Sequence, residues 1–418
     1  RRDDYRVYSQ AVSVSVRRAI RSIRGSQHGR EFCLCNAVSP PKLRHRDPTS
    51  DQDTRLTGRS DRAVSRAFLM GLTLPTQAGG VVEENLDELA ELARSTEMEV
   101  VGRGLQNRRV PDARTFIGRG KAGEIAQVAK EFNADVVIFD DDLTSNQVRN
   151  LEGIIECAVI DRSTLILDLF VRQARTREAR TQVELAQVEY QLPRLTRRWT
   201  HLSRQVGGIG VRGGEGETQL EADRRMLRTR IKQLKKELSK IERTRALHRE
   251  RRRGVPLVAL AGYTNAGKST LFNRFTRAGV RTEDKLFATL DSKLRKGSLG
   301  GQATVVFVDT VGFIRKLPHH LVASFRSTLE EIAQADVVLH VIDRSHRQWR
   351  EQMEVGEVVL ADLGVDMCRV LPVFNKMDRC EADSGRKYGG FAVSAQTGAG
   401  VAKLKSHLAE CVASNGYS

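Results

Sequence analysis

A glycine-rich segment flanked by an apolar run and a helix-forming run constrains the fold of this chain most strongly. The segment reads GYTNAGKST and places Gly262, Gly267, Lys268 and Ser269 at the spacing G-x-x-x-x-G-K-[ST]. It follows the apolar run PLVALAG and precedes STLFNRFTRA, whose apolar residues recur at helical spacing. A strand, such a loop and a helix in succession predict a parallel α/β sheet whose loop surrounds phosphates with backbone N–H groups. Lys268 is predicted to bind the β- and γ-phosphates, and Ser269 is predicted to bind Mg²⁺.

A second motif, DTVGF, closes another apolar run. Asp309 is predicted to hold Mg²⁺ through water, and the amide of Gly312 is predicted to bind the γ-phosphate. Phe313 stands where many GTPases carry a water-orienting glutamine, so intrinsic hydrolysis is predicted to be slow or to depend on another element. Between the two motifs lies DKLFATLD, in which Thr289 is the expected switch threonine that binds Mg²⁺ in the GTP state.

Two short motifs near the C-terminal end predict the choice of base. In NKMD, Asp378 is predicted to accept hydrogen bonds from guanine N1–H and the 2-amino group, with the stem of Lys376 along the base. In SAQTG, the amide of Ala395 is expected to reach guanine O6. After the first two motifs, this pair specifies GTP rather than ATP.

The predicted nucleotide site therefore has three overlapping residue sets. The residues predicted to bind GTP are Gly262, Tyr263, Thr264, Asn265, Ala266, Gly267, Lys268, Ser269, Thr270, Asp309, Gly312, Asn375, Lys376, Asp378, Ser394 and Ala395. The predicted catalytic residues are Lys268, Thr289 and Gly312. The predicted Mg²⁺ ligands are Ser269, Thr289 and Asp309, the last through water.

The order of apolar and helical runs predicts an α/β chain in three folded parts. These are a small N-terminal α/β domain at 63–173, an antiparallel coiled-coil hairpin at 174–253 and a P-loop GTPase domain with a mainly parallel sheet at 254–418. Residues 1–62 are rich in Arg and Ser and hold few large apolar side chains, which predicts a disordered basic tail. An organelle transit peptide is the alternative for this segment.

The predicted hairpin consists of two apolar series at helical spacing. The first comprises Leu185, Val188, Leu192, Leu195, Trp199 and Leu202, and the second comprises Leu227, Ile231, Leu234, Leu238 and Ile241. Between them lies a glycine-rich tip loop, GGIGVRGGEGETQ at 207–219, which favours an antiparallel pair of helices. Pro193 is predicted to kink the first helix, because proline removes a backbone hydrogen bond and clashes with the preceding turn.

The charge balance points to a polyanionic partner. Lys plus Arg number 69 against 52 for Asp plus Glu, which gives a formal net charge of +17. Much of the excess lies in the hairpin, where acidic residues look sparse, so contacts with a phosphate backbone are predicted; a solvated helix face is the alternative. No apolar run reaches the roughly 18 residues that span a bilayer. The six cysteines are scattered, which predicts free thiols, a reducing and cytoplasmic location and no transition-metal site.

Together these motifs resemble the HflX family of translation-associated GTPases over about 65–413. The resemblance rests on TFIGRGKAGEI, VIDRSTLILDLFVRQARTREARTQVELAQ, GGIGVRGGEGETQLEADRR, GYTNAGKSTLFN, LFATLD and DTVGFIRKLPHHLVASFRSTLEE. It implies a monomeric GTPase that binds the large ribosomal subunit and splits stalled or idle ribosomes. It also implies that the tip loop contacts ribosomal RNA, and the contact residues that this predicts are Gly207, Gly208, Gly210, Arg212, Gly213, Arg224 and Arg225. The loop's RGGEGE departs from the RGPGE of some relatives, and some relatives carry a further C-terminal domain.

The resemblance leaves alternatives open at two positions and for the function as a whole. Asn265 matches an asparagine that helps bind K⁺ in potassium-stimulated relatives, or else it stabilises the loop. The run GRGK from Gly118 to Lys121 is either a helix start or RNA contact, which we favour, or a second nucleotide site. The rival function is a non-ribosomal G-domain switch whose coiled-coil arm docks a protein or an acidic membrane. An ATP-driven RNA remodeller is disfavoured by NKMD.

Overall fold

A computed structural model describes the chain from Val64 to Ser414 with gaps. The described ranges are 64–75, 80–195, 219–250, 254–276, 286–287, 290, 292–299, 304–316, 326–380 and 389–414. All of them belong to one compact unit, Asp61–Ser418. The predicted tail at 1–62, most of the predicted tip loop and Thr289 lie outside the described residues.

The first part of the described chain forms a four-stranded parallel sheet. Its strands are β1 (Arg66–Thr73), β2 (Glu99–Asn107), β3 (Val136–Phe139) and β4 (Ala158–Asp161), in the order β2-β1-β3-β4. Its helices are α1 (Val81–Ser95), α2 (Arg119–Glu131), α3 (Ser145–Ile155) and α4 (Arg162–Gln173). We call these strands and helices the N-terminal α/β layer. Strand β1 is buried along most of its length because helices cover both faces of the sheet.

Local signals in the sequence explain where these helices begin. Thr144 and Gln147 form a capping box at the start of α3, in which the side chain of each residue accepts a hydrogen bond from the backbone N–H of the other. Gly118 is the N-cap of α2, and Lys121 pairs with Glu124 at 2.9 Å within the first turn of the helix. The GRGK run therefore opens a helix, as the sequence predicts.

The helical hairpin is formed by α5 (Arg177–Gln191) and α6 (Gln219–Glu250). Its apolar seam contains Leu185 and Val188 from α5 and Leu234 and Leu238 from α6, all buried, with Leu227, Ile231 and Ile241 packed beside them. The sequence prediction of the second apolar series is thus confirmed. Helix α6 begins at Gln219, the last residue of the predicted tip loop.

The predicted kink at Pro193 is wrong, because the first helix ends there. Helix α5 stops at Gln191, and Leu192–Arg194 form a 3₁₀ turn with the proline near its first position. Leu195 then adopts an extended backbone, with φ −62° and ψ 113°. A proline lacks the N–H that an α-helix would need at this point, so the tighter turn replaces the predicted continuous helix.

Acidic residues are less sparse in the hairpin than the sequence suggested. Four ion pairs join α5 to α6: Arg230–Glu184 at 2.6 Å, Lys235–Glu189 at 2.8 Å, Arg245–Glu178 at 2.9 Å and Arg177–Glu237 at 3.8 Å. Part of the basic excess therefore fixes the pairing of the two helices and is not available to a partner.

A second set of basic residues on α6 faces outward. Its members are exposed, are spaced by four and form no ion pair with another described residue: Arg228, Lys232, Lys236 and Lys240. We call them the basic stripe. Like charges at this spacing cost about 0.2–0.5 kcal/mol per pair in an isolated helix, so the stripe is a feature that intrahelical energetics disfavour.

The remaining chain forms a six-stranded sheet. Its strands are β5 (Leu257–Gly262), β6 (Lys293–Ser298), β7 (Thr304–Asp309), β8 (Val337–Asp343), β9 (Val370–Asn375) and β10 (Phe391–Ala392). The strand order is β10-β9-β8-β5-β7-β6, and β6 alone runs antiparallel to its neighbour in the described sheet. Its helices are α7 (Lys268–Thr276), α8 (Arg326–Ala333), α9 (Trp349–Asp362) and α10 (Val401–Ser414). We call this the C-terminal α/β layer; with the first layer and the hairpin, it confirms the predicted fold class.

No helix in the described part of the chain is both long and apolar enough to cross a membrane.

We expect Leu234→Ala to open the hairpin locally. Leu234 is 1% exposed in a seam of few residues, and removing such a side chain typically costs about 2–5 kcal/mol. Hydrogen exchange should report a fall of about this size in the opening free energy of α6 amides near the substitution. Met226→Ala on the same helix is the matched control, because Met226 is 59% exposed. Equal effects of the two substitutions would contradict the packing described here.

Candidate nucleotide-binding site

The predicted nucleotide residues meet at one edge of the C-terminal sheet. Gly262 ends β5, Asp309 ends β7 and Asn375 ends β9, while Ser394 follows β10 within two residues. These four strands are parallel to their shared neighbours, so their carboxyl ends lie on the same edge. This edge is where open α/β sheets bind ligands.

Backbone hydrogen bonds join the P-loop to the DTVGF segment. The amide of Thr264 donates to the carbonyl of Phe313 at 2.8 Å, and the amide of Phe313 donates to the carbonyl of Gly262 at 2.9 Å. A Cβ at Gly312 would lie 2.7 Å from the Cα of Thr264, so only glycine allows this close approach. The amide expected to contact the γ-phosphate is therefore held against the loop expected to surround it.

The base-recognition segments are tied to the P-loop through Asn375. Its Nδ2 donates to the carbonyl of Ala266 at 2.8 Å, and its Oδ1 accepts from the amide of Ala395 at 2.9 Å. Gly267 has φ +91°, and a Cβ there would lie 2.2 Å from Asn375 Nδ2, so a side chain at Gly267 would break this link. In this structure the Ala395 amide donates to Asn375, so contact with guanine O6 requires a shared or shifted hydrogen bond.

The other two base-recognition residues occupy the turn after β9. Lys376 adopts a left-handed backbone, with φ 60°, and its ammonium group pairs with Asp343 at 2.7 Å. This pairing holds the lysine stem in one direction. Asp378 is exposed, so its carboxylate is accessible to a base. Ser394 is buried, and its hydroxyl accepts from the amide of Thr397 at 3.1 Å, which closes the SAQTG loop.

The phosphate end of the site contains a buried lysine and an oxygen pair. Lys268 donates to the carbonyls of Gly262 at 3.1 Å and Tyr263 at 2.7 Å. Burial lowers the pKa of Lys268 from its ordinary value to about 8. The hydroxyl of Ser269 donates to Asp309 at 2.6 Å, so a hydroxyl and a carboxylate oxygen converge there, and such oxygens suit Mg²⁺.

The remaining predicted residues of this region have distinct settings. Asn265 is exposed and adopts a left-handed backbone with φ 60°, a conformation that asparagine tolerates better than most residues. Thr270 lies in the first turn of α7 and is half-buried. Phe313 is 3% exposed and packs in an apolar cluster with Tyr263 and Leu329. Position 313 therefore offers no polar side chain to an attacking water.

The predicted RNA contacts are described in part. Gly207, Gly208, Gly210, Arg212 and Gly213 lie outside the described residues. Arg224 is half-buried on α6 and donates to the carbonyl of Leu195 at 3.5 Å, whereas Arg225 is exposed one position further along. The structure thus brings the nucleotide residues together and places the two described RNA candidates separately, on the hairpin.

The segments beside the phosphate end pack into the apolar core of the N-terminal α/β layer. From this side, five buried residues join that core: Leu286, Phe287, Leu290, Val311 and Ile314. The ring of Phe287 meets that of Phe170 from α4 edge-on, with centroids 4.9 Å apart. The side chain of Gln173, the last residue of α4, donates to the carbonyl of Leu286 at 3.2 Å.

A buried polar network reinforces this contact from inside the P-loop. The hydroxyl of Tyr263 contacts both carboxylate oxygens of Glu88, at 2.9 and 3.0 Å, and accepts from the amide of Arg315 at 2.8 Å. Burial and the neighbouring Glu88 raise the pKa of Tyr263, so its hydroxyl stays protonated and donates to the carboxylate. Burial also raises the pKa of Glu88, against the opposing effect of Arg162.

Arg162 is the centre of this network. Its guanidinium pairs with Glu88 at 3.0 Å and with Asp140 at 2.7 Å, and it donates to the carbonyl of Arg315 at 3.1 Å. Burial opposes its charge, but the two carboxylates outweigh this effect, and the pKa of Arg162 is raised. Lys316 also pairs with Asp140, at 2.5 Å. Two consecutive residues after DTVGFI are thus bound by the N-terminal layer.

The sequence does not predict this network, because no local motif or spacing relates its members. The sequence predicts a nucleotide contact for Tyr263 only as a member of the P-loop, and its partner Glu88 lies 175 positions away. Arg162 follows an apolar run like many strand-end residues. A single sequence carries no signal for a pairing of this range.

We expect nucleotide binding to take up a proton at alkaline pH. With a pKa of about 8 in the empty site, Lys268 is largely neutral above that pH, whereas bound phosphates favour its charged form. Titration calorimetry of GDP binding in buffers of different ionisation enthalpy should then show uptake of about 0.8 proton at pH 8.5 and about 0.1 at pH 7. Lys403→Ala, which removes an exposed lysine of α10, should leave both values unchanged. Equal uptake at the two pH values would contradict the assignment.

Comparison with known proteins gives matches along most of the chain. A family profile described as "GTP-binding GTPase N-terminal" matches residues 83–171, and one described as "GTP-binding GTPase Middle Region" matches residues 173–252. A profile described as "50S ribosome-binding GTPase" matches residues 257–376.

Individual relatives are similar over comparable lengths. The chain is 47% identical to "GTPase HflX" of Magnetococcus marinus over 361 residues, which cover 84% of this chain and 83% of the relative. It is 47% identical to "GTPase HflX" of Escherichia coli strain K12, over 78% of this chain and 79% of the relative. It is 48% identical to "GTPase HflX" of Caldanaerobacter subterraneus, over 72% of this chain and 70% of the relative. In the structure, the P-loop is joined to DTVGF and to the base-recognition segments. The identity of the chain to these relatives over more than two thirds of its length shows that it belongs to the HflX family of GTPases.

Proposed function

We propose that this protein is a GTP-controlled factor that binds the large ribosomal subunit and splits stalled or idle ribosomes. The observation that carries the proposal is the contact between the nucleotide side and the base of the hairpin. Gln173 donates to the carbonyl of Leu286 beside the phosphate end, and α5 of the hairpin begins at Arg177, four residues later. A change in the nucleotide loops therefore reaches the base of the hairpin through a single helix, α4.

The coupling follows from the packing of α4. Phe170 contacts Phe287 on one side, and Ile166 and Leu169 lie in the same buried core. Close-packed cores move in discrete steps and do not deform continuously. A γ-phosphate that orders the segments containing Thr289 and Gly312 would thus favour one arrangement of α4 and of the hairpin that follows it.

The hairpin supplies the features of an RNA-binding arm. The basic stripe on α6 is exposed and forms no ion pair within the described part of the chain. A profile described as "50S ribosome-binding GTPase" matches the nucleotide-binding half, which supports the ribosome as the partner. In the proposal, the glycines at 207–213 let the tip approach ribosomal RNA closely, with Arg212, Arg224 and Arg225 at phosphates. The expected location is cytoplasmic, and the expected state is a monomer.

In the proposed hydrolysis, the P-loop amides and Lys268 bind the β- and γ-phosphates and stabilise the charge that develops during transfer to water. Ser269 and Thr289, and Asp309 through water, would hold Mg²⁺, which would supply further positive charge. The amide of Gly312 donates to the γ-phosphate. Because Phe313 is buried and apolar, water must be oriented by another group, so intrinsic hydrolysis is slow.

Replacing residues 207–217 by a short turn should abolish splitting, because the hairpin can no longer reach into an RNA cavity. Purified bacterial ribosomes with a non-hydrolysable GTP analogue should lose monosomes into subunits in a sucrose gradient with the intact chain and not with the variant. The variant and the intact chain should bind GDP with equal affinity, which shows that the nucleotide site is intact. Binding should weaken steeply as salt rises, because phosphate contacts release counterions.

Two outcomes would contradict the proposal. If the variant still split ribosomes, the tip loop would only connect the two helices and would have no role in splitting. Failure of the intact chain to sediment with ribosomes at low salt would favour a non-ribosomal partner for the arm.

We also propose that Asn265 helps to bind K⁺ near the β- and γ-phosphates, where the cation would partly replace the missing glutamine side chain. Its exposure at the P-loop supports access by a cation. GTP hydrolysis should then be faster in K⁺ than in Na⁺ at equal ionic strength, and Asn265→Ser should remove the difference. Identical rates in the two salts for the unsubstituted chain would exclude the role.

A further inference from the structure

The helix that begins at the phosphate end also supports the base-recognition loop. Helix α7 starts at Lys268, and Arg274 lies six residues later, which is about 9 Å along a helix axis. The Nε of Arg274 donates to the carbonyl of Ala395 at 2.9 Å, and its Nη2 donates to the carbonyl of Gln396. One guanidinium therefore binds two consecutive carbonyls of the SAQTG loop.

Other hydrogen bonds fix most of this loop but do not reach the carbonyls of Ala395 and Gln396. Ser394 donates through its amide to the carbonyl of Ala399 at 2.9 Å and accepts at its own carbonyl from the amide of Gly398 at 2.8 Å. Within the described residues, Arg274 is the only donor to the carbonyls of Ala395 and Gln396. Because the amide of Thr397 is held by the hydroxyl of Ser394, the peptide group whose orientation depends on the arginine is the one between Ala395 and Gln396.

The geometry of the peptide bond relates the arginine contact to the direction of the N–H group that faces the base. The described chain has no cis peptide bond, so each C=O and the following N–H point in opposite directions. A carbonyl of Ala395 held towards α7 turns the N–H of Gln396 away from α7. That N–H forms no hydrogen bond within the described residues. Guanine carries an acceptor at position 6 and adenine carries a donor there, so the direction of the loop's N–H groups decides between them.

We propose that Arg274 is a positioning residue that sets the preference for guanine, by orienting the amide of Gln396 towards O6 beside the amide of Ala395. The proposal rests on the assignment of Ala395 to the guanine contact in the proposed function. Arginine suits the task because its planar fork binds two acceptors in fixed directions, whereas a lysine ammonium is a single point of charge. Arg274 is exposed, so its charge needs no buried partner and its contribution is directional.

The test compares three nucleotides that differ at one position each. GDP is compared with 6-thio-GDP, in which sulfur, a weaker acceptor, replaces the oxygen at position 6, and with IDP, which lacks only the 2-amino group expected to contact Asp378. Dissociation constants of the full chain are measured by calorimetry. A hydrogen bond of ordinary strength predicts that the unsubstituted protein prefers GDP to 6-thio-GDP by about 10-fold.

We expect Arg274→Ala to weaken GDP binding by about 10-fold while 6-thio-GDP changes little, so that their ratio approaches about 1. The ratio of GDP to IDP should stay constant, because the Asp378 contact is separate. Arg274→Lys should give a GDP to 6-thio-GDP ratio between those of Arg274→Ala and the unsubstituted protein. Lys403→Ala, which removes an exposed charge on neighbouring α10, should change neither ratio.

Equal weakening of all three nucleotides by Arg274→Ala, or no weakening of any, would overturn the role of Arg274. If the unsubstituted protein bound GDP and 6-thio-GDP equally but still preferred GDP to IDP, the O6 contact and the role of Arg274 would both fall. In that case GTP control of the ribosome would stand. Loss of both preferences in the unsubstituted protein would overturn the guanine assignment in the proposed function itself.

Discussion

The buried guanidinium of Arg162 is the interaction on which the relation between the two α/β layers depends. It is 2% exposed and lies between Glu88 and Asp140. A buried charge is tolerated only when it is paired and hydrogen-bonded, and removing one partner is strongly destabilising. Arg162 also binds the carbonyl of Arg315, and Glu88 binds the hydroxyl of Tyr263. Any displacement of these nucleotide-side groups therefore removes hydrogen bonds from buried charged groups.

This constraint explains why the nucleotide loops are not a self-contained module. Phe287 packs edge-on against Phe170, and Ile314 belongs to the core of the N-terminal layer. The same surfaces that must respond to a γ-phosphate thus form part of the hydrophobic core that supports α4 and, through it, the hairpin. The nucleotide loops and α4 are therefore coupled through their packing, because a close-packed core cannot lose contacts on one side without repacking on the other.

Periodicity and motif spacing predicted the elements that burial dictates. The apolar runs that became β5, β7 and β8 are buried along almost their whole length, and β9 is buried over its second half, so their type follows from composition. The strand β6, KLRKGS, was not predicted, because an antiparallel edge strand exposed to water needs no apolar alternation. The order of the motifs predicted the site, and the Asn375 bonds to Ala266 and Ala395 join its parts. The pairing of Tyr263 with Glu88 could not be predicted from the sequence, since it depends on how the two layers pack against each other.

The central claim is that nucleotide state reaches the N-terminal layer and the base of the hairpin through these contacts. Hydrogen exchange of the full chain, bound to GDP or to a non-hydrolysable GTP analogue, tests it most directly. Amides of α1, α4 and the start of α5 should differ in protection between the two nucleotides. Tyr263→Phe, which removes the hydroxyl bound by Glu88 and Arg315, should reduce the difference in α1. A difference confined to the P-loop and the DTVGF segment would contradict the claim.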